Sequence, residues 1–501
     1  MSPREVHGND VQTKGEHRSE NKLRARIGLV LGPALFALIF FVPALTGLDD
    51  APRATLAVTL WVSSWWITQA LPIPATSLIP LVLLPLAGAT DESTAATAYA
   101  NPIVFMYMGG FTIALAIQKW DLHRRIAMSI IRMVGTKGQR LTLGIIIATA
   151  ALSMWISNAA TALMMLPIGL ALIEEVREKR FYDDSDFSKF AKGLLLSIAY
   201  AASIGGLATI IGSVPNAVFV AQADVLLDEN VTFAQWFAFA FPLTVLMLGI
   251  LYLYMSRVAF RVKGSPDIGS EFAKEQLRKL GPMSYEEKAV LAIFAAVGTM
   301  WMVVGFIPEA VLEVFPLSDA TISMTGAVLM FLIPARQERG GLLVWNDMTE
   351  LPWGILLLFG GGLSLAAAFD DSELTPWFGE LLGGLDVLPY VAIVIALAAI
   401  VLFMTEIMSN TAVSNMLIPV SVGLGLGMGV DPFAIMAIVA LTSTCAFMLP
   451  ISTPPNAAVF SSDHLSMDDM VKAGFWMNIA AIIMISVFVL LWQPVVLASG
   501  S

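Results

Sequence analysis

The 501-residue sequence predicts an all-α polytopic membrane protein with about eleven transmembrane helices and two re-entrant hairpins in two inverted repeats. Hydrophobic residues make up 57% of the chain and charged residues 13%, about half the charged share of an average soluble protein. Apolar runs long enough for a membrane-spanning helix, which takes ~20 residues, recur along the whole length. The alternating segments of a membrane β-barrel are missing from the sequence, so the helical class is favoured.

Eleven apolar runs account for the predicted transmembrane helices. They lie near residues 27–46, 54–71, 75–90, 102–118, 193–222, 233–256, 289–307, 319–334, 352–369, 432–462 and 473–494. Before them, residues 1–26 form a polar, basic tail without a cleavage motif, which favours a cytoplasmic tail over a signal peptide. Basic loops recur on the tail's side, so we expect a plasma (inner) membrane protein with its N-terminus inside and its C-terminus outside.

Two further apolar segments, 141–173 and 387–430, are predicted to dip into the membrane and return. The first has 33 residues between charged ends. Two crossings and a turn would need more, since each crossing takes ~20 residues. The second segment is longer, and its assignment as a hairpin depends on its similarity to the first.

The two halves of the chain repeat each other. MWISNAATALMMLP, which contains Asn158, matches EIMSNTAVSNMLIP, which contains Asn410, 252 residues later. GSVPNAVF (212–219) matches STPPNAAV (452–459) at an offset of 240. A first span (27–53) is therefore followed by one repeat (54–262), a cytoplasmic linker (263–288) and a second repeat (289–496). Five spans and one hairpin in each half invert the second repeat, as in alternating-access transporters.

Polar interruptions mark the middle of the hairpins and of two spans. They lie at 157–158, 212–216, 409–411 and 452–456. Broken helices inside a membrane must line protein or a wet cavity, because bare backbone groups are costly in hydrocarbon. Half-helix N-termini favour anions, and freed carbonyl and hydroxyl oxygens suit Na⁺. A single such motif indicates only close helix packing, but four paired motifs favour a binding site.

Charged side chains are scarce near these interruptions. Segments 141–173, 193–222, 387–430 and 432–462 contain no Lys, Arg or His. A bound anion would therefore need a co-bound cation, since helix ends supply only about half a charge each. Glu406 is either a proton or ion site or a structural acid, and the sequence leaves both open. One cysteine and four scattered histidines give no metal cluster or nucleophile–base pair, so an enzyme is not expected.

The chain resembles the divalent anion/sodium symporter family over about residues 27–494. The resemblance is carried by LSMWISNAATALMMLP, LPWGILLLFGGGLSLA, TEIMSNTAVSNMLIP and PISTPPNAAVF. It implies a homodimer in membrane lipid, with no nucleic-acid partner. In each protomer a transport part would move like an elevator against a scaffold part. It also implies two Na⁺ ions at the hairpin tips.

The resemblance assigns residues to these sites by position. The first Na⁺ would use Ser153, Ser157, Asn158 and Gly212, and the second would use Thr405, Met408, Asn410 and Ser452. The substrate positions would be Asn158, Ala159, Ser213, Asn410, Thr411, Thr453 and Pro454. Ala159 replaces the usual Thr and removes one hydroxyl contact, and Val214 stands where Pro is common.

The expected activity is Na⁺-coupled import of C4-dicarboxylates such as succinate, malate or fumarate. A Na⁺-independent dicarboxylate exchanger, or a sulfate or citrate carrier of the same fold, is the alternative. A channel is less favoured, because the sequence has paired hairpins but no charged pore rings.

Overall fold

The computed structural model describes residues 23–135, 138–262, 270–308, 314–382 and 388–497. Residues 1–22 of the predicted tail and residues 263–269 of the predicted linker lie outside these ranges, as does residue 387 of the second predicted hairpin. Within them the regular structure is helical apart from one isolated bridge between Pro334 and Gly341. The predicted all-α class is confirmed.

The helices follow one another in the order that the apolar runs predict. The first half contains α1 (Leu23–Phe41), α2 (Asp50–Thr68), α3 (Ile73–Thr76), α4 (Ile79–Leu86), α5 (Glu92–Thr97), α6 (Pro102–Lys119), α7 (Leu122–Val134), α8 (Gln139–Ser153), α9 (Asn158–Glu178), α10 (Asp184–Gly206), α11 (Val214–Leu227) and α12 (Phe233–Leu253). The second half contains α13 (Ser270–Leu280), α14 (Tyr285–Val304), α15 (Asp319–Leu332), α16 (Trp353–Asp371), α17 (Leu374–Leu382), α18 (Tyr390–Thr405), α19 (Asn410–Gly427), α20 (Pro432–Ser443), α21 (Pro454–Phe460), α22 (Met467–Leu491) and α23 (Gln493–Val496).

Several helices are long and apolar enough to cross a membrane. By length and composition, seven in the described ranges qualify: Leu23–Phe41, Glu92–Lys119, Asn158–Glu178, Phe233–Ala259, Tyr285–Val304, Trp353–Asp371 and Met467–Val496. Shorter apolar helices lie in the predicted spans 75–90, 193–222, 319–334 and 432–462 and form the hairpin arms α8 and α18. The helix of the predicted span 54–71, α2, and the arm α19 are not among these candidates. Because α9 alone has 21 residues, length does not distinguish a re-entrant arm from a crossing, and the re-entrant arrangement stays a prediction.

Local sequence explains where the helices begin. Thr232, Ser284 and Ser466 each form a capping box with the residue three positions later, so two otherwise unpaired groups satisfy each other. The Ser157 hydroxyl accepts from the Ala160 N–H at 3.4 Å and starts α9. Each predicted hairpin is therefore two helices with a short turn, at 154–157 and 406–409.

Two predicted spans are broken helices, and the breaks differ from their predicted positions. Break 1 covers residues 207–213, between α10 and α11, and break 2 covers residues 444–453, between α20 and α21. The predicted intervals, 212–216 and 452–456, were wrong at their C-terminal ends. Each proline that follows a break lies in the first turn of the next helix, where its missing N–H has no intrahelical partner to lose.

Contacts between loops support the predicted alternation of sides. Lys119, in one predicted inner loop, pairs with Asp347 at 2.9 Å in another. Arg125 pairs at 2.7 Å with Glu287, which lies within the predicted linker. Thr90 donates to Asp371 at 2.5 Å between two predicted outer loops. Loops of the same predicted side therefore meet, and the assignment of one side to the cytoplasm depends on the basic loops.

Candidate substrate and ion site

The helices that precede the breaks, α10 and α20, are buried over the stretch that leads into each break. From Leu194 to Gly206 no residue of α10 is more than slightly exposed, and in α20 the stretch from Ile435 to Leu441 is 0% exposed throughout. A helix that is apolar all round is buried either in protein or in lipid, and these stretches are covered by neighbouring protein. At breaks 1 and 2, backbone N–H and C=O groups therefore lose their helical hydrogen bonds inside packed protein. Each of these groups needs another partner.

The first hairpin tip and break 1 form a cluster of oxygen atoms around Asn158. With its amide in the orientation that satisfies its surroundings, Nδ2 donates to the Gly212 and Ala202 carbonyls, both at 3.0 Å, and to Ser153 Oγ at 2.7 Å. Ser153 Oγ in turn donates to the Ala202 carbonyl at 2.6 Å. Two further backbone oxygens lie beside the Cα of Gly212, because a Cβ there would lie 2.7 Å from the Gly206 carbonyl oxygen and 3.0 Å from the Ser153 carbonyl oxygen.

The second hairpin tip has a contact between the corresponding residues, in which the hydroxyl and not the amide is the donor. The Thr405 hydroxyl donates to Asn410 Oδ1 at 2.7 Å and lies 2.9 Å from the Ser443 carbonyl at the start of break 2. Thr405 and Asn410 stand 252 positions after Ser153 and Asn158, so the duplicated sequence gives a duplicated contact. The predicted members Met408 and Ser452 bond within their own segments, to Met404 O at 3.0 Å and Leu449 O at 2.6 Å.

A buried asparagine holds each break in shape. Asn216 Nδ2 donates to the carbonyls of Gly206, Leu207 and Thr209 at 2.8–3.3 Å. Asn456, 240 positions later, donates to Ala446 O at 3.1 Å and Leu449 O at 3.0 Å. The carbonyls that the helix break frees are thus paired with a side chain, which explains an Asn after each proline.

This pairing predicts a stability effect. Asn216→Leu keeps the size of the side chain but leaves up to three buried carbonyls without a donor, so we expect it to cost about 2 kcal/mol or more. The measurement is the thermal midpoint of the purified protein in detergent. The matched control is Asn346→Leu at an exposed position, which should leave the midpoint unchanged. Equal midpoints for the two variants would contradict this role.

Packing brings the two halves together at the breaks. Helix α9 packs against α21, and α11 packs against α19, so each hairpin contacts the broken helix of the other half. Ser213 Oγ and Thr444 Oγ1 lie 2.9 Å apart and join break 1 to break 2. Contacts from Asn158 to Gly212, from Ser213 to Thr444 and from Thr405 to Ser443 thus connect the N-termini of α9, α11 and α19, which carry partial positive charge.

The predicted substrate residues differ in exposure. Asn158, Ala159, Asn410 and Thr411 are half-buried at the hairpin tips. Ser213 and Thr453 are buried, and the Thr453 hydroxyl accepts from the Asn456 N–H at 3.3 Å. Pro454 is exposed, whereas Val214 at the matching position is half-buried. The second break is therefore the more open of the two.

Sequence reasoning missed three residues of this region. Tyr107, on α6, donates its hydroxyl to the break 1 carbonyls of Ile210 and Ser213, the latter at 2.9 Å. Thr209 donates to the Met154 carbonyl, and its oxygen accepts from the Gly212 N–H at 3.0 Å. Asn478, on α22, bonds to Glu406. Asn478 was detectable as a lone amide in an apolar helix, whereas Tyr107 and Thr209 resemble ordinary packing residues.

Apolar helices broken in pairs, with polar tips and no Lys, Arg or His within the segments that form them, are typical of a membrane transporter. The family described as the sodium:sulfate symporter transmembrane region matches residues 24–498. The chain belongs to this family.

Curated relatives and solved structures agree with that class. The sodium-dependent dicarboxylate transporter SdcS of Staphylococcus saprophyticus subsp. saprophyticus is 39% identical over 490 residues, which cover 97% of this chain and 94% of that protein. SdcS of Staphylococcus aureus is 40% identical over 482 residues, 94% of this chain and 92% of that protein. The chain is a transporter and not an enzyme.

The fold is also similar to two solved transporters. The Alcanivorax borkumensis YdaH transporter has a TM-score of 0.56 at 13% identity, covering 89% of this chain and 98% of that chain. Neisseria gonorrhoeae MtrF has a TM-score of 0.54 at 13% identity, covering 82% and 84%. At this identity the similarity concerns the fold alone.

Proposed function

We propose that this protein is a Na⁺-coupled symporter that imports C4-dicarboxylates such as succinate, malate or fumarate. The observation that carries the proposal is the duplicated cluster at Ser153–Asn158 and Thr405–Asn410, beside breaks that lack basic side chains. The SdcS relatives, named as sodium-dependent dicarboxylate transporters, support the same ion and substrate class.

The donor set suits Na⁺. The first site would use Ser153, Ser157, Asn158 and Gly212, and the second Thr405, Met408, Asn410 and Ser452. Hydroxyl, amide and carbonyl oxygens from unwound helix ends are the ligands that transporters give to Na⁺. Of the first set, Ser153, Asn158 and Gly212 already converge, and Gly212 leaves the oxygens room that a Cβ would fill.

The substrate would bind between the tips. Its carboxylates would meet Asn158, Ser213, Asn410, Thr411, Thr453 and Pro454, with Ala159 giving apolar contact. Three helix N-termini supply about half a positive charge each, which is not enough for two buried carboxylates. Two Na⁺ ions supply the rest, so the cations would bind first and create the anion site.

Transport would follow from motion of the hairpins and breaks as one body. Helices α8 to α11 and α18 to α21 carry the hairpins and breaks and pack against one another, so we assign them to the transport part. The other helices would form the scaffold and, in a homodimer, the contact between protomers. An elevator movement of the transport part would then expose the loaded site to either side.

The first test is uptake of radiolabelled succinate into proteoliposomes. An inward Na⁺ gradient should drive accumulation, and replacing Na⁺ by choline should abolish it. Succinate counterflow in Na⁺-free buffer would instead indicate the exchanger. Excess sulfate or citrate tests the remaining alternatives, because the family description includes sulfate while the relatives are dicarboxylate transporters. We expect malate and fumarate to compete and sulfate to have little effect.

A further inference from the structure

Glu406 lies at the tip of the second hairpin, next to the proposed Na⁺ ligand Thr405. Its side chain is 3% exposed, and both carboxylate oxygens face donors. Oε1 accepts from the backbone N–H groups of Phe447 at 2.8 Å and Met448 at 2.9 Å, and Oε2 accepts from Leu449 N–H at 3.0 Å. Asn478 Nδ2 donates to Oε1 at 2.7 Å. Four donors on two oxygens match a carboxylate, which only accepts.

The three backbone donors belong to break 2. Residues 447–449 follow the end of α20, so their N–H groups have no helical partner. Without Glu406 the N–H groups of Met448 and Leu449 would be unpaired, whereas the Phe447 N–H also lies 3.3 Å from Asn478 Oδ1. The segment continues directly into Ser452 and Thr453, which we place at the ion and substrate sites. Glu406 thus connects hairpin 2 (α18 and α19) to the segment that completes its site.

The connection extends to neighbouring helices. Asn478 brings in α22 and also approaches the Phe447 N–H through its own Oδ1 at 3.3 Å. The Phe447 ring packs against Tyr200 of α10, with ring centroids 5.0 Å apart. Three buried side chains around one carboxylate therefore join elements of both repeats.

The connection between a hairpin tip and its break, here called the joint, is also present in the first half, where it has different chemistry. Met154 occupies the position 252 residues before Glu406, and its backbone carbonyl accepts from the Thr209 hydroxyl of break 1. The oxygen cluster at Ser153, Asn158 and Gly212 forms there without any carboxylate. An acid is therefore not required to build such a cluster, whereas a joint between hairpin tip and break is present in both halves.

We infer that Glu406 is a positioning residue, which fixes break 2 to the tip of hairpin 2 and is not itself a ligand for a coupling cation or proton. The link to Ser452 and Thr453 rests on the proposed function, but the joint between Glu406 and residues 447–449 does not. Oε1 accepts from three fixed donors and Oε2 from one, so both carboxylate oxygens are held by the protein itself. Its charge adds a local field that favours cations at the neighbouring Thr405.

Hydrogen–deuterium exchange tests the joint without any substrate. Glu406→Gln places an amide donor against backbone donors, so we expect amides 447–449 to exchange about tenfold faster or more than in the unaltered protein. Asn478→Leu leaves the carboxylate in place but removes one donor, and should shift the same peptide in the same direction. Peptides covering 207–213 should not change, because Thr209 holds break 1. Glu350→Gln, at an exposed acid, is the matched control.

Transport then separates positioning from ion binding. We expect Glu406→Gln and Asn478→Leu both to raise the half-saturating Na⁺ and succinate concentrations, with an unchanged Hill coefficient for Na⁺. Two outcomes would overturn the inference: exchange at 447–449 that is the same with and without Glu406, or a lower Na⁺-to-succinate ratio in Glu406→Gln alone. If succinate is not the substrate, hydrogen–deuterium exchange at amides 447–449 still tests whether Glu406 holds this segment.

Discussion

Asn158→Ala is expected to lower Na⁺-driven succinate uptake about 100-fold or more, while the protein still folds. The amide of Asn158 donates to two carbonyls, those of Ala202 and Gly212, and to the Ser153 hydroxyl. Removing it separates hairpin 1 (α8 and α9) from break 1 and deletes one proposed ligand of both ion and substrate. Three hydrogen bonds at about 1 kcal/mol each correspond to a loss of this size.

Asn158→Asp tests the oxygen and the amide donor of Asn158 separately. It keeps an oxygen for the cation, but it loses the donor and adds a negative charge where a carboxylate of the substrate should bind. We expect Na⁺ binding to persist and succinate uptake to fail. Asn346→Ala at an exposed position is the control and should transport normally. Normal uptake by Asn158→Ala would remove Asn158 from the site.

Gly212→Ala is the second change with a large expected effect. A Cβ at this position would lie 2.7 Å from Gly206 O and 3.0 Å from Ser153 O, and neither backbone oxygen can move without disturbing α8 or α10. The added methyl group would fill the space that the oxygens enclose, where we place the first Na⁺. We expect uptake to fall below about one hundredth of the unaltered rate, with Na⁺ affinity reduced.

Gly249→Ala provides a matched control for the same chemical change. Gly249 lies in the middle of α12, and a Cβ there would meet nothing within 4 Å. Alanine also favours the helix, so folding and transport should be unaffected. If Gly212→Ala transports as well as Gly249→Ala, no cation binds in the space beside Gly212.

The fold is predictable from the sequence because the two internal repeats mark equivalent segments. The match between the segments around Asn158 and Asn410 predicts two equivalent tips, and the structure shows equivalent contacts at Ser153–Asn158 and Thr405–Asn410. The breaks were harder to place. Proline suggests the centre of a break, but it is equally stable in the first turn of a helix, and the helices begin at Val214 and Pro454.

The rest of the site depends on long-range contacts that a single sequence does not reveal. The Tyr107 hydroxyl reaches break 1 across 103 positions of sequence, and Asn478 reaches Glu406 across 72. Nothing in the residue types marks these pairs before the helices pack. For the same reason the sequence does not decide whether Glu406 is an ion site or a structural acid. The four hydrogen-bond donors around it in the structure favour the structural role.

In the proposed mechanism cations, and not basic side chains, neutralise the bound anion. Equilibrium binding of succinate to the purified protein, measured by calorimetry in NaCl and in choline chloride, tests it most directly. Binding should be detectable only with Na⁺ and should tighten as Na⁺ rises, because each proposed cation adds positive charge beside the carboxylates. Succinate binding of equal affinity in choline chloride would show that the anion site does not depend on Na⁺.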